Sequence, residues 1–407
     1  MRVLIVSFFY EPEPNDIKIH SLGAELVRRG HEVTTVTTFP NYPYGEIYDG
    51  YTQKWRQWET KDGVKVLRLP IYADHTRSGI KRILSYISFM LSVMIFAPFL
   101  TAKADVMWVY HPPLTTGMAG WWLSLLKRLP FVYDIQDMWP ETLAATGMFS
   151  NPHGLRVVGA VAKWIYRRAK FVNVDTRGMQ RNLIEKGVPE HKITVYQTWT
   201  DEAIYRPLER DPEVGKHYGL EGRFNVMFGG NMGLVQSLHT GIEAATKLQD
   251  LPDFQLVLIG DGLVLPDLQA MVEQRGLTNV RFIERQPASN MPALYAWADA
   301  LWLPLKDDPL FEMTIPAKTQ SYLACARPII CSVPGDGAEV IRASGAGVVC
   351  PPEDALALEK AIRRLYTMPR DEREKMGESG RIAYQTHFQR KLIIDQYEQL
   401  FQSIITK

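Results

Sequence analysis

Cysteine is scarce. The chain has 407 residues and three of them are cysteine, Cys325, Cys331 and Cys350, all in the second half. That count excludes a disulfide scaffold and a thiolate zinc cage, and it fits a reducing compartment. Net charge is lacking as well. Lys and Arg number 46 against 45 Asp and Glu, so no bulk field recommends a nucleic-acid partner. The balance hides a split: residues 1–207 carry a net +6 and the remainder −5. With 46% hydrophobic and 22% charged residues, disordered, collagen-like and coiled-coil chains are ruled out. The opening apolar run is short and followed by acid and proline, so it reads as a buried first strand rather than a signal peptide. A cytoplasmic protein is expected.

What is present is alternation. Short apolar runs trade places with amphipathic helical stretches along the whole chain, the pattern of an α/β fold with doubly wound parallel sheets. A strand is expected from Arg2 to Phe8, a helix from Ile17 to Arg29 stopped by Gly30, and a strand from Glu32 to Thr38. Further strands are expected over 64–69, 106–110, 131–135 and 171–174, with a short one near Ile193. The grammar then repeats from Phe224. The length exceeds one core, so two Rossmann-like domains facing a cleft are expected: 1–205, a linker at 206–222 rich in Pro, Gly and charge, 223–385, and a C-terminal helical segment at 386–407. Nucleotides bind such folds at the C-terminal ends of the strands.

One segment stands apart. Ile83–Leu100 runs 18 residues without a charge, after Arg77, Lys81 and Arg82, and contains Pro98. It reads as a buried crossover helix, a helix lying in the membrane interface, or, least well, a span. A basic stretch over Arg156–Lys170, with Lys163, Arg167, Arg168 and Lys170 near Trp164, suits anionic lipid or a solvated helix face.

Three motifs could carry chemistry. Gly229–Gly233 ends a strand and opens a helix, so its N–H groups could meet an anion, or the glycines could serve turn geometry alone. In Thr314–Ile330, Lys318 follows Pro316 at the start of a helix, where a dipole disfavours cations. It makes sense if an anion lies there, or if it snorkels to water. Asp137 and Glu141 follow the strand ending at Ile135 and are four residues apart. They could share a helical face and accept protons or hydroxyls, or Asp137 could merely cap a helix. His111 follows another strand on the same side. No Asp-x-Asp motif follows an apolar strand in the second half and no His or Cys cluster has metal spacing, so no metal and no cofactor are expected.

Together these residues resemble the family-4 glycosyltransferases of the GT-B fold, especially the branch that adds amino sugars in O-antigen, capsule and exopolysaccharide assembly. The ordered markers are Arg28-Arg29-Gly30-His31-Glu32-Val33, Phe39-Pro40-Asn41-Tyr42-Pro43, Asp137-Met138-Trp139-Pro140-Glu141, Gly230-Asn231-Met232-Gly233, Met291-Pro292-Ala293-Leu294-Tyr295 and Pro316-Ala317-Lys318 before Ser321-Tyr322-Leu323-Ala324. The resemblance implies a nucleotide-sugar, usually UDP-linked, in the C-terminal domain, and an acceptor in the N-terminal one. It implies that the last helix returns to the first domain. It implies Asp137, Glu141 and Lys318 as catalytic residues, and Asn15 and His111 at the acceptor. Gly230, Asn231, Gly233, Gly262, Arg285, Lys306, Glu312, Thr314 and Ser321 are implied at the donor. The family's two glutamates, separated by seven residues, are replaced by Met313, beside Glu312, and by Ser321; Asn231 and Gln236 stand where it has Arg and Lys. The implied reaction is retaining, metal-independent transfer of an N-acetylated or deoxy sugar from a UDP donor to a polyprenyl-diphosphate-linked glycan, by an enzyme peripheral on the cytoplasmic face of an anionic membrane. The alternatives are a UDP-sugar 2-epimerase and a binding subunit with a decayed donor site.

Overall fold

Aliphatic and β-branched runs with no polar alternation can only be strands covered on both faces. The computed structural model describes residues 1–13, 17–74, 79–145, 148–149 and 151–406, and shows that result twice. In the first sheet the strands are β1 (Arg2–Val6), β2 (Glu32–Thr38), β3 (Gln57–Lys61), β4 (Val64–Leu69), β5 (Val106–His111), β6 (Phe131–Ile135), β7 (Phe171–Val174) and β8 (Ile193–Val195). Their order is β3-β4-β2-β1-β5-β6-β7-β8. All pairs are parallel except β3 with β4. The sequence reading missed β3, whose residues alternate between half-buried and exposed along a sheet edge.

The second sheet holds β9 (Phe224–Gly229), β10 (Phe254–Ile259), β11 (Val280–Ile283), β12 (Ala300–Pro304), β13 (Ile329–Ser332) and β14 (Gly347–Val349), in the order β11-β10-β9-β12-β13-β14. The side on which successive strands are added switches between β1 and β5 in the first sheet and between β9 and β12 in the second. Those are the switch points at which this class of fold opens a crevice.

The chain divides into Met1–Gln197 with Lys391–Lys407, and Thr198–Arg390. The expected boundary at 205 and the expected linker at 206–222 are therefore corrected. Residues 212–218 form a helix, Pro212–Tyr218, capped by Asp211. The Trp297 indole donates to the Asp211 carbonyl at 3.0 Å and Arg210 pairs with Asp299 at 3.0 Å, so this stretch is packed in the second unit. Proline and charge marked a helix cap and an ion pair here, not a tether.

The charge-free segment is a 22-residue crossover helix, Gly79–Leu100, between β4 and β5. One stripe is buried at Ser85, Phe89, Ser92, Val93 and Ala97. The rest is open: Ile83, Leu84, Leu91 and Ile95 are exposed, and Phe99 is 87% exposed. By length and composition the helix could cross a membrane. In this fold its buried stripe serves the sheet, while its outer face stays apolar. Pro98 cannot donate to the carbonyl of Met94, and the Trp122 indole N–H takes that carbonyl at 3.2 Å. Arg77, which precedes the helix, lies outside the described residues.

The last helix, Arg390–Ile405, is docked on the first unit by a buried stripe of Ile393, Ile394, Leu400, Phe401 and Ile404, by charge and by one hydroxyl. Arg29 reaches Glu398 at 2.6 Å and Asp395 at 2.7 Å, and His31 reaches Glu398 at 2.6 Å. Two residues of the Arg-Arg-Gly-His marker thus hold this helix. Deeper in, the Tyr397 hydroxyl donates to Asp134, a carboxylate with no solvent exposure. The same oxygen accepts from the Trp108 indole at 3.2 Å and the Asn173 amide at 3.1 Å. A hydrogen bond to a buried carboxylate is worth about 1.5–3 kcal/mol. Tyr397→Phe is expected to lower unfolding stability by about that amount, measured by urea denaturation of the whole chain; an unchanged midpoint would show that this hydroxyl does not hold the helix.

Candidate active site

In the second unit, the candidate residues gather on the C-terminal edge of the sheet. Gly230–Gly233 follow β9 at the switch point, Gly260–Gly262 follow β10, Arg285 follows β11 and Lys306 follows β12. The two glycine turns lock together through backbone. Gly230 N–H donates to the Ile259 carbonyl at 2.9 Å, Met232 N–H to Asp261 at 2.8 Å, and Val264 N–H back to Met232 at 3.1 Å. A Cβ at Gly260, whose φ is +143°, would fall on the Gly230 carbonyl. Glycine is required there by chain crossing.

This corrects the picture of four open amides around an anion. Gly230 and Met232 give their N–H groups to the neighbouring turn, and Gly233 donates to Gln236 Oε1 at 2.9 Å. The N–H left over belongs to the exposed Asn231. Gln236, standing where the family has a cation, thus satisfies the glycine turn from within.

Lys318 is the cation that reaches this turn. It begins the helix Lys318–Ala324, which is anchored by buried Tyr322, whose hydroxyl accepts from Gly229 N–H at 3.1 Å. A Cβ on Gly230 (φ +135°) would come within 2.5 Å of Lys318 Cε and 3.0 Å of Nζ, so the absent side chain makes room for the lysine. The ammonium stands 4.9 Å from the Phe228 ring centre. Among the described residues it has no hydrogen bond and no carboxylate partner. Burial pushes its pKa down to about 8.

The other donor candidates separate. Arg285 is exposed at the sheet edge and makes no ion pair among the described residues. Lys306 is exposed, and its charge helps hold down the pKa of Glu353; burial of that carboxylate works the other way but is outweighed. Glu353 accepts from the Ser237 hydroxyl at 2.6 Å and Asp307 N–H at 2.9 Å. Thr314 donates its hydroxyl proton to the Leu310 carbonyl at 3.0 Å, which leaves its oxygen able only to accept. Ser321 lies 2.8 Å from the Thr200 hydroxyl and also bonds Tyr205, so it is largely engaged by protein. Glu312 is exposed at the end of the short helix Pro309–Glu312, which Asp308 caps.

In the first unit, His111 closes β5 beside Ile135 of β6, and Asp137 follows two residues later. His111 is 2% exposed, its ring against Trp139 at 5.2 Å and Tyr133 at 5.8 Å, with Nδ1 unpartnered. Burial pushes its pKa down to about 3, so the ring is neutral. Asp137 has no hydrogen-bond partner among the described residues; burial, then the Asp175 carboxylate, push its pKa up to about 6. Asp137 and Glu141 do not share a helical face, because the helix Glu141–Ala145 starts only at Glu141. Nor does Asp137 cap that helix. Glu141 pairs with Lys186 at 2.6 Å through Oε1, and its buried Oε2 has no hydrogen-bond partner among the described residues. Asn15 lies outside the described residues.

Sequence reasoning missed the cluster behind Asp137. Lys18, 4% exposed, stands 3.1 Å from both Asp134 and Asp175. Burial opposes its charge, yet the two carboxylates outweigh that and lift its pKa. Gln136 donates to Asp134 at 2.5 Å and to Asp175 at 3.3 Å. The missed signal was a lysine in the first turn of the helix Ile17–Arg28, the feature that singled out Lys318. Glu13, 2% exposed, was missed too: it accepts N–H groups of Asn41 at 2.7 Å, Tyr42 at 2.8 Å and Tyr10 at 3.1 Å. Among the described residues one group could hold a metal ion, Glu11, His20 and Asp62, at the surface and beside the Lys61 ammonium.

Comparison with known proteins places this geometry. Residues 17–199 match the family described as "Glycosyl transferase 4-like domain" and residues 213–383 match "Glycosyl transferases group 1". The chain is 26% identical to the putative colanic acid biosynthesis glycosyl transferase WcaI of Escherichia coli K12, over 91% of this chain and 93% of that one. It is 25% identical to the alpha-D-kanosaminyltransferase of Streptomyces kanamyceticus, over 65% and 69%. Among solved structures, Anabaena HepE in complex with UDP and glucose is similar with a TM-score of 0.72 at 18% identity, over 99% and 100% of the chains. Sucrose-phosphate synthase of Thermosynechococcus elongatus gives 0.75 at 16%, over 100% and 99%.

The Lys318 ammonium carries a pH prediction. Its proton leaves at about 8 in the folded chain, below the ordinary 10.5, and a bound anion would hold that proton to higher pH. The ratio of parent to Lys318→Met affinity for inorganic pyrophosphate, measured by calorimetry, is therefore expected to be constant below about pH 8 and to fall up to about tenfold per unit above it. A ratio near one at every pH would remove Lys318 from the site.

Proposed function

From a chain that belongs to the family-4 glycosyltransferases of the GT-B fold and acts as a glycosyltransferase on nucleotide-sugars, we propose the finer chemistry. The donor is a UDP-linked N-acetylated or deoxy sugar, and the acceptor is a polyprenyl-diphosphate-linked glycan. Transfer proceeds with retention of anomeric configuration and without a divalent ion. The enzyme works at the cytoplasmic face of the inner membrane.

The observation that carries this reading is the partnerless Lys318 ammonium beside Gly230 at the end of β9. A half-buried cation without a counter-ion is costly until an anion arrives. A departing diphosphate is such an anion, and its charge grows as the sugar bond breaks, so Lys318 stabilises the transition state more than the bound donor. Asn231 supplies the free N–H of the turn. Arg285 and Lys306 stand on the same sheet edge and add to the field there. In the first unit, Asp137 is poised near neutrality and free to take a hydroxyl hydrogen bond or proton from the acceptor. Lys186 holds Glu141 by one carboxylate oxygen, and the other is left to orient a substrate hydroxyl. The exposed apolar stripe of the helix Gly79–Leu100 supports the peripheral membrane reading. The similarity to a structure that holds UDP and to relatives in colanic acid and aminosugar chemistry supports the donor and the pathway class.

The experiment is incubation of the enzyme with a lipid-linked acceptor and a panel of UDP-sugars, read by mass spectrometry, with the anomeric configuration read by NMR. Lys318→Ala is expected to lower turnover by roughly 10²–10³, with EDTA leaving the parent rate unchanged. Full turnover in Lys318→Ala would overturn the leaving-group assignment, and loss of activity in EDTA would overturn the metal-free reaction.

A further inference from the structure

The edge of the first sheet opposite Asp137 is where β6, β7 and β8 begin, at Phe131, Phe171 and Ile193. A groove of about 610 Å³ crosses these starts. Arg167, Arg168, Lys170, His191 and Lys192 line it, and no acidic side chain does. Among the described residues none of the five has a carboxylate partner. Lys192 serves the fold: its ammonium donates to the Arg167 carbonyl at 2.9 Å and closes the helix Pro152–Arg168. Arg167, Arg168, Lys170 and His191 are exposed.

A helix C-terminus attracts cations, but it amounts to about half a negative charge. Arg167, Arg168 and Lys170, three full positive charges besides Lys192, exceed what it can neutralise. A second hollow adjoins the first, lined by Trp121, Leu125, Arg128, Leu129 and Arg168. Apolar side chains border the cations here. Leu125 is 58% and Leu126 51% exposed at the end of the helix Leu114–Lys127. Lys127 donates from that helix end to the Thr101 carbonyl at 2.7 Å, just past Leu100 and the open Phe99. Unpaired cations beside exposed leucine and phenylalanine match an amphiphile, a phosphate joined to hydrocarbon. A nucleic acid offers phosphate with no use for the leucines.

We propose that this edge seats the phosphate of an anionic lipid headgroup in the groove of Arg167, Arg168 and Lys170, with Leu125, Leu126 and Phe99 entering the acyl boundary. The proposal rests on the peripheral membrane reading above and names the part of the surface that meets the bilayer first. It sets the starts of β6–β8 toward the membrane and leaves Asp137 on the far edge of the same sheet, so the lipid-linked acceptor meets it only through a glycan that extends past the sheet from the bilayer.

Sedimentation of the full chain with vesicles of phosphatidylcholine, alone or mixed with phosphatidylglycerol, tests it. Each cation near an anionic surface is worth about fivefold in partitioning, so the triple variant Arg167→Gln, Arg168→Gln, Lys170→Gln is expected to lose roughly a hundredfold on the mixed vesicles. Added salt should weaken the parent more than the variant. A control variant, Ile95→Glu on the exposed stripe of the apolar helix, separates the two readings. If the triple variant partitions like the parent while Ile95→Glu does not, the groove is overturned and the peripheral reading stands. If the parent fails to sediment with mixed vesicles at low salt, both fall. If the triple variant loses binding of inorganic phosphate but partitions like the parent, the groove serves a free anion and the lipid seat is overturned.

Discussion

A carboxylate that water cannot reach must be answered from inside the fold, and Asp134 sets that condition for the first unit. Trp108 from β5, Asn173 from β7, Lys18 from the first helix and Tyr397 from the last all converge on it. Removing one donor leaves Asp134 short of a hydrogen bond that water cannot replace, so the loss is felt at the full worth of a bond to a charged group. Five segments distant in sequence are thereby held in one register, and Asp137 and His111 stand on that frame. The second unit has no such cluster at its glycine turns. There a lysine with the same odd placement, in the first turn of a helix, has no carboxylate. The two lysines obey one rule. What distinguishes them is whether the protein or a visitor supplies the negative charge.

Most of the architecture was legible in the sequence because parallel strands buried on both faces announce themselves. The runs at β1, β5, β9 and β10 are dominated by apolar residues, β2 is built of β-branched Val and Thr, and the helix stop at Gly30 follows ordinary end chemistry. The strand β3 was not legible, since a sheet edge needs only half a face of apolar residues. The boundary near 205 was misplaced for a physical reason: proline and charge accompany helix caps as readily as tethers, and Asp211-Pro212 is a cap.

The site was legible in position more than in detail. Strand ends placed the candidate residues at the C-terminal edges of both sheets, and Lys318 stood out by its conflict with the helix dipole. The partners did not. Nothing local reveals that Gln236 closes the glycine turn, that Glu141 meets Lys186, or that Ser321 faces Thr200, because each bond joins segments brought together only by folding. The glycines were ambiguous for the same reason. They meet another backbone at closer range than any ligand would need, and a pattern of glycines does not tell the two apart.

The return of the last helix has a consequence for how the protein is made. A ribosome delivers the first 197 residues early, yet the unit they form lacks Tyr397, Glu398 and Asp395 until synthesis is nearly over. Throughout translation of the second unit, Asp134 and Arg29 wait without those partners, so the half born first is the half finished last. The second unit, contiguous from Thr198 to Arg390, carries no such debt to distant sequence.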